Sequence, residues 1–211
     1  MKVILTGATG MVGEGVLLEC LANPAVERVL SVVRRPSGRN HPKLVEVIVK
    51  DFRELQPVEA QLSGYDACFY CAGISSVGMN EADYTVVTYD TPLAFATNLA
   101  RLNPAMTLVH VSGSHTDSSE QGKVMWARVK GKAENALMRL PFKGVYNFRP
   151  SLMKPTPGTR ASEGGLLPGE GAVPDLELVL PRHELERRGS GHDQRRALRS
   201  AQARARGRRH A

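Results

Sequence analysis

The chain has 211 residues, 42% of them hydrophobic, enough to bury one full α/β core with little left for a second. Its formal charge of +7 arises entirely in residues 182–211, where ten arginines stand against Glu184, Glu186 and Asp193. The remainder is neutral, so the high isoelectric point gives no ground for reading the folded body as a nucleic-acid or membrane binder. The apolar runs are strand-sized and Met1-Lys2 leads straight into one of them, so neither a signal peptide nor a membrane span is expected.

The first strand is expected at Lys2–Leu5, followed at once by Thr6-Gly7-Ala8-Thr9-Gly10-Met11-Val12-Gly13 and a helical pattern over Gly13–Ala22. Strand, glycine-rich turn and helix in that order suit a dinucleotide. Glycine allows a tight turn, backbone without Cβ can approach a pyrophosphate, and the helix that follows aims its free N–H groups at the phosphates. Further strands are expected at Arg28–Val33, Leu44–Val49, Ala67–Cys71, Met106–Val111 and Gly144–Phe148. Helical patterns lie between them at Val58–Leu62, Glu81–Leu102 and Lys123–Leu140. This alternation predicts an α/β Rossmann fold, a doubly wound parallel sheet of strand order 3-2-1-4-5-6 with helices on both faces.

After Phe148 there are no aromatic residues, and Lys154 is the last lysine. We therefore divide the chain into a Rossmann domain over 1–155 and a Gly/Pro/Arg-rich tail over 156–211, which is expected to be poorly ordered because it has little to bury. A basic arm for an acidic partner and the product of a shifted reading frame in GC-rich DNA are alternative readings of that tail. Specific nucleic-acid recognition is not expected, for want of stacking aromatics. Cys68 and Cys71 make a CxxC pair within an apolar strand, but without a second pair or histidines at ligand spacing they, like Cys20, read as reduced core thiols, which points to the cytoplasm and to no metal.

At the end of the second strand stand Arg34 and Arg35, where NAD-preferring sites carry an acid for the ribose 2′-hydroxyl. An arginine there can pair with a 2′-phosphate, so NADP(H) is favoured over NAD(H). Asp51-Phe52, after the third strand, are candidates to flank the adenine. Cys71-Ala72-Gly73, after the fourth, put small residues where backbone meets cofactor.

The fifth strand ends in Ser112-Gly113-Ser114, and twelve positions on begins Trp126-Ala127-Arg128-Val129-Lys130-Gly131-Lys132-Ala133-Glu134-Asn135. Together with the glycine loop, these motifs resemble the short-chain dehydrogenase/reductase superfamily. Most closely they resemble its atypical branch, related to the HIV Tat-interacting protein and to epimerase-like oxidoreductases. The resemblance covers about residues 1–155. It implies a Tyr-x-x-x-Lys pair on this helix, with Lys130 as the lysine that holds the nicotinamide ribose, and Ser112 or Ser114 as the serine that polarises a carbonyl. The tyrosine position holds Trp126, whose indole N–H donates a hydrogen bond but cannot release a proton at physiological pH. Trp126 can instead stack on the nicotinamide or close the pocket.

Candidates for the missing acid are His115, Tyr84, Tyr89 or a water held by Lys130. The resemblance further implies that Arg149-Pro150 turns the chain over the cofactor into a substrate-binding segment, and here the tail follows instead. It also implies pairing of two such chains as a homodimer. The leading expectation is hydride transfer with a small carbonyl or alcohol substrate; the alternative is a non-catalytic dinucleotide-binding sensor or scaffold.

Overall fold

The computed structural model describes residues 1–151, 153 and 155–160. The calls on the tail beyond residue 160 lie outside the described residues. Six strands form one parallel sheet: β1 (Lys2–Thr6), β2 (Arg28–Val33), β3 (Leu44–Ile48), β4 (Ala67–Tyr70), β5 (Thr107–Val111) and β6 (Gly144–Phe148). Their order is β3-β2-β1-β4-β5-β6, as the alternation predicts. The reversal between β2 and β4 on either side of β1 is the switch point at which this topology leaves a crevice. Strand residues alternate between two covered faces, so β1, β2 and β4 are apolar almost throughout, with Val3, Ile4, Leu5, Val29 and Cys68 inaccessible.

One face carries Ile4, Leu30, Val32, Cys68, Tyr70 and Leu108, packed against Phe95, Leu99 and Leu137 from the helices α3 (Thr91–Leu102) and α4 (Met125–Leu137). The opposite face meets α1 (Met11–Ala22), whose Leu17 and Cys20 are buried. Lys43 donates to the carbonyls of Leu21 and Asn23 at the C-terminal end of α1, which satisfies groups the helix itself cannot. Buried Asn103 does the same for the far edge. Its Oδ1 accepts from the N–H groups of Gly64 and Tyr65, and its amide donates to Leu62.

Two expected helices differ in detail. The segment near Val58–Leu62 is a 3-10 turn over Gln56–Gln61. The long helix expected over Glu81–Leu102 comprises α2 (Glu81–Thr85), a π turn over Val86–Asp90, and α3. Pro92 accounts for the interruption: it has no N–H to give the previous turn, and the Thr91 N–H and hydroxyl both reach back to the Val86 carbonyl.

The start of the expected tail is also placed. Thr156 lies beside Gly15, Gly158 reaches Leu18, and the Arg160 N–H donates to the Glu14 carboxylate at 2.9 Å.

Candidate functional site

Because all strands are parallel, the turns after β1, β4 and β5 lie at one edge of the sheet, and the candidate residues gather there. Gly7, Gly10 and Gly13 have three different reasons to be glycine. Gly7 has φ +72°, and a Cβ on it would stand 2.7 Å from the Cys71 carbonyl and the Ala72 nitrogen. A Cβ on Gly13 would lie 2.1 Å from the Gly7 oxygen, so the helix can pack on its own turn only without one. At Gly10 the space is open, with the Gly7 oxygen alone nearby at 3.5 Å. Gly10 is thus the position at which backbone is left bare toward solvent.

No side chain caps α1, and the first helical amides, from Met11, Val12 and Gly13, precede the first intrahelical bond, Glu14 N–H to Gly10 O at 2.8 Å. A dinucleotide pyrophosphate fits this cradle, with bare backbone at Gly10 and an uncapped helix N-terminus beside it. Thr9 is exposed at the rim.

Thr6, offered from sequence as a cofactor contact, has another use. Its buried hydroxyl oxygen accepts from the N–H groups of Cys71 and Ala72 at 3.1 and 3.2 Å, joining the tips of β1 and β4. Cys71 and Ala72 are half-buried behind the Gly7 turn and Gly73 is exposed beyond them. Burial pushes the Cys71 thiol up to about 12, so it stays protonated and unreactive at neutral pH.

The adenine candidates have contacts of their own within the chain. Phe52 packs against Phe95 with ring centroids 5.5 Å apart. Asp51 is paired with Arg53, whose hydrogen bonds hold its carboxyl down at about 2. Arg34 and Arg35, by contrast, project exposed from the end of β2 with no ion-pair partner among the described residues.

Glu14 was not singled out from the sequence. It is only 2% exposed and sits in the first turn of α1, where its charge would repel a pyrophosphate were it not paired with Arg39. The chain after Arg34-Arg35 is pinned as well: the Ser37 N–H donates to the Glu46 carboxylate and the Ser37 carbonyl accepts from Arg160.

At the β5 end, a Cβ placed on Gly113 would lie 3.7 Å from Lys130 Cδ and 3.8 Å from both Trp126 Cζ3 and Thr116 Oγ1. Trp126 and Lys130, four apart on α4, therefore converge on the Ser112-Gly113 tip. Ser112 is buried and its hydroxyl is 2.9 Å from that of Thr116, a partner the sequence reading missed because a lone threonine in a polar loop carries no signal. Ser114 is exposed and bonded to His115 Nδ1.

Lys130 is half-buried, and desolvation lowers its pKa below the ordinary lysine range. Among the described residues its Nζ has no hydrogen-bond acceptor and no ion-pair partner. The acid four residues on, Glu134, is taken up by Arg149. Arg149 also donates to the Ser118 hydroxyl, so it braces α4 against the loop after β5. Gly131 lets that loop in closely, for a Cβ there would meet the Asp117 oxygen at 1.7 Å.

Of the substitute acids, His115 is exposed and its Nδ1 is bonded to the Ser114 hydroxyl. Tyr84 is buried to 1% exposure within the α2 packing, and Tyr89 lies under Lys132 Nζ at 4.3 Å. Buried His110 contacts Asn147 at 2.9 Å and is held neutral, its pKa pushed down to about 4 by desolvation. Among the described residues no group of His, Cys, Asp and Glu could hold a metal ion, and no helix is long and apolar enough to cross a membrane.

The family model described as NAD dependent epimerase/dehydratase matches residues 3–123. Protein fmp52, mitochondrial, of Emericella nidulans is 28% identical over 159 residues, a match covering 72% of this chain and 66% of that protein. Among solved structures, MoeE5 in complex with UDP-glucuronic acid and NAD superposes with a TM-score of 0.57 at 18% identity, covering 71% of this chain and 54% of that one. A short chain dehydrogenase from Burkholderia cenocepacia in complex with NADP gives 0.55 at 16% identity, covering 73% of each. The chain thus spans about two thirds of that curated relative and about half of the MoeE5 chain.

Proposed function

Because the chain belongs to the NAD dependent epimerase/dehydratase family, we propose that it is an NADP(H)-binding oxidoreductase that acts on a small carbonyl or alcohol substrate. The observation that carries this reading is the convergence of Lys130, Trp126 and the Ser112–Thr116 hydroxyl pair on Gly113, at the same sheet edge as the glycine cradle. When bound, the dinucleotide supplies the hydride exchange. The chain's part is to bind and to orient. Backbone at Gly10 and the amides of Met11 to Gly13 receive the pyrophosphate, Arg34 and Arg35 pair with a 2′-phosphate, and Lys130 donates to ribose hydroxyls. Ser112, its hydroxyl set by Thr116, donates to the substrate oxygen, and the Trp126 indole walls the pocket and excludes water.

The preference for NADP rests on two arginines that have no ion-pair partner among the described residues and on the lack of an acid at the β2 tip. Structural relatives include an NAD complex and an NADP complex, which is consistent with either nucleotide in this fold. The free cysteines suit a reducing compartment such as the cytoplasm. A homodimer is proposed only from the family resemblance.

A second reading, a dinucleotide sensor without turnover, is favoured by Trp126 in the tyrosine's place. The test is titration of the full chain with NADPH and with NADH, following nucleotide fluorescence and Trp126 emission together. NADPH binding tighter than NADH, with a tryptophan response, supports the proposal. Binding of neither overturns both readings. Binding without turnover of any aldehyde, ketone or quinone leaves the sensor.

A further inference from the structure

Four described groups weighed as replacements for the absent tyrosine have other contacts or are enclosed: His115 Nδ1 is bonded to Ser114 at the surface, Tyr84 is enclosed, Tyr89 has Lys132 Nζ over its ring, and His110 is buried against Asn147. What remains beside Gly113 is the Lys130 side chain, its Cδ 3.7 Å from where a Cβ on Gly113 would stand. Lys130 Nζ has no acceptor among the described residues, while its helical neighbour Glu134 spends its carboxylate on Arg149. Among the described residues the charged group that acts on it is Glu134, on its own helix and held by Arg149 from beyond β6, and Lys130 acts in turn on neutral His110 of β5.

We propose that Lys130 is itself the proton donor to the substrate oxygen, and that Arg149 is the positioning residue that keeps Glu134 from pairing with it. This rests on the oxidoreductase reading above. As a carbonyl carbon accepts hydride from a reduced nicotinamide dinucleotide, the Lys130 N–H bond breaks and its proton passes to the carbonyl oxygen, giving an alcohol. The amine left neutral takes a proton back from water. Burial makes this transfer easier, since it disfavours the charged form of the lysine. Trp126 stands where a tyrosine would otherwise mediate the transfer and keeps bulk water from the ammonium.

The experiment has two arms on the full-length protein. In the first, without nucleotide, pH-dependent acetylation of each lysine is followed by peptide mass spectrometry. Lys130 is expected to become reactive at lower pH than exposed Lys123, and Arg149→Met is expected to move its midpoint up as Glu134 is released to it. A Lys130 midpoint equal to that of Lys123 overturns the proposal.

In the second arm, NADPH binding and turnover of 4-nitrobenzaldehyde and 9,10-phenanthrenequinone are measured for wild type, Lys130→Arg and the double variant Trp126→Tyr/Lys130→Arg. Arginine keeps the charge but does not release a proton, so binding should persist while turnover falls by about 100-fold. The added tyrosine should restore about tenfold of it. Turnover unchanged in Lys130→Arg overturns the proton-donor role and leaves the oxidoreductase reading intact. Nucleotide binding by wild type without turnover overturns the proton-donor role and leaves the sensor, whereas failure to bind nucleotide overturns the oxidoreductase reading itself.

Discussion

Glu134 accepts hydrogen bonds from Arg149 Nε, at 2.9 and 3.1 Å, and from its Nη2, at 2.5 Å, although Lys130 lies one helical turn away on the same helix. A carboxylate exposed to only 4% must have a cationic partner, and the one it has comes from beyond β6 rather than from its own helix. Removing the guanidinium in Arg149→Met should destabilise the fold by about 2 kcal/mol, below the usual loss for a fully buried pair because Arg149 is partly exposed. Urea unfolding of wild type and variant measures this directly, and an unchanged midpoint would show that Lys130 takes over the pairing at no cost.

His110 should make the protein acid-sensitive. Its folded-state pKa is about 4 against an ordinary value near 6.5, so the unfolded chain binds this proton first as pH falls. The stability it contributes is complete above about pH 6.5 and is lost progressively as pH drops toward 4, by roughly 3 kcal/mol. Thermal unfolding across this range should show the slope, and His110→Gln should flatten it.

The glycines of the cradle should separate folding from binding. Gly13→Ala places a methyl group into the Gly7 carbonyl and is expected to cost about 3 kcal/mol or more, lowering the melting temperature. Gly10→Asp should leave folding near wild type, since only the Gly7 oxygen is close, yet its carboxylate would repel a pyrophosphate. Circular dichroism melts paired with NADPH titration distinguish the two. NADPH affinity preserved in Gly10→Asp would exclude this turn as the phosphate site.

Thr6→Val keeps the shape of the side chain and strips the oxygen that accepts from Cys71 and Ala72. Two N–H groups at the switch point then lose their partner, at an expected cost of about 2 kcal/mol. Hydrogen exchange at those two amides should accelerate while the middle of β4 stays protected.

The sheet could be read from the sequence because each strand is a compact apolar run bounded by turns. Arg28–Val33 and Gly144–Phe148 have the same limits in pattern and structure, and the other strands differ by a residue at an end. The π turn was not legible, since Pro92 looks like the start of a helix and its effect on the preceding ladder depends on a helix already standing there. The glycines were singled out by their spacing after a strand and before a helix, and Lys130 by the family resemblance; the structure brings both to the same edge of the sheet. Glu14, Thr116 and Glu134 were missed for the opposite reason: an acid or threonine on an amphipathic helix or in a polar loop reads as solvated, and only the arrival of Arg39, Ser112 or Arg149 from elsewhere shows otherwise. The contact of Phe52 with Phe95 was not legible either, because a strand-end aromatic says nothing of which side Phe95 will approach from.

The bond from the Arg160 N–H to Glu14 joins residues 146 apart in the chain. Closing so long a loop is entropically unfavourable until most of the sheet exists to hold its ends together. During synthesis, then, the first helix is made early but waits for its last partner until β6 and the segment after it have left the ribosome. Until that moment Glu14 has, among the described residues, Arg39 alone, and the corner beside the glycine cradle is completed only after the sheet.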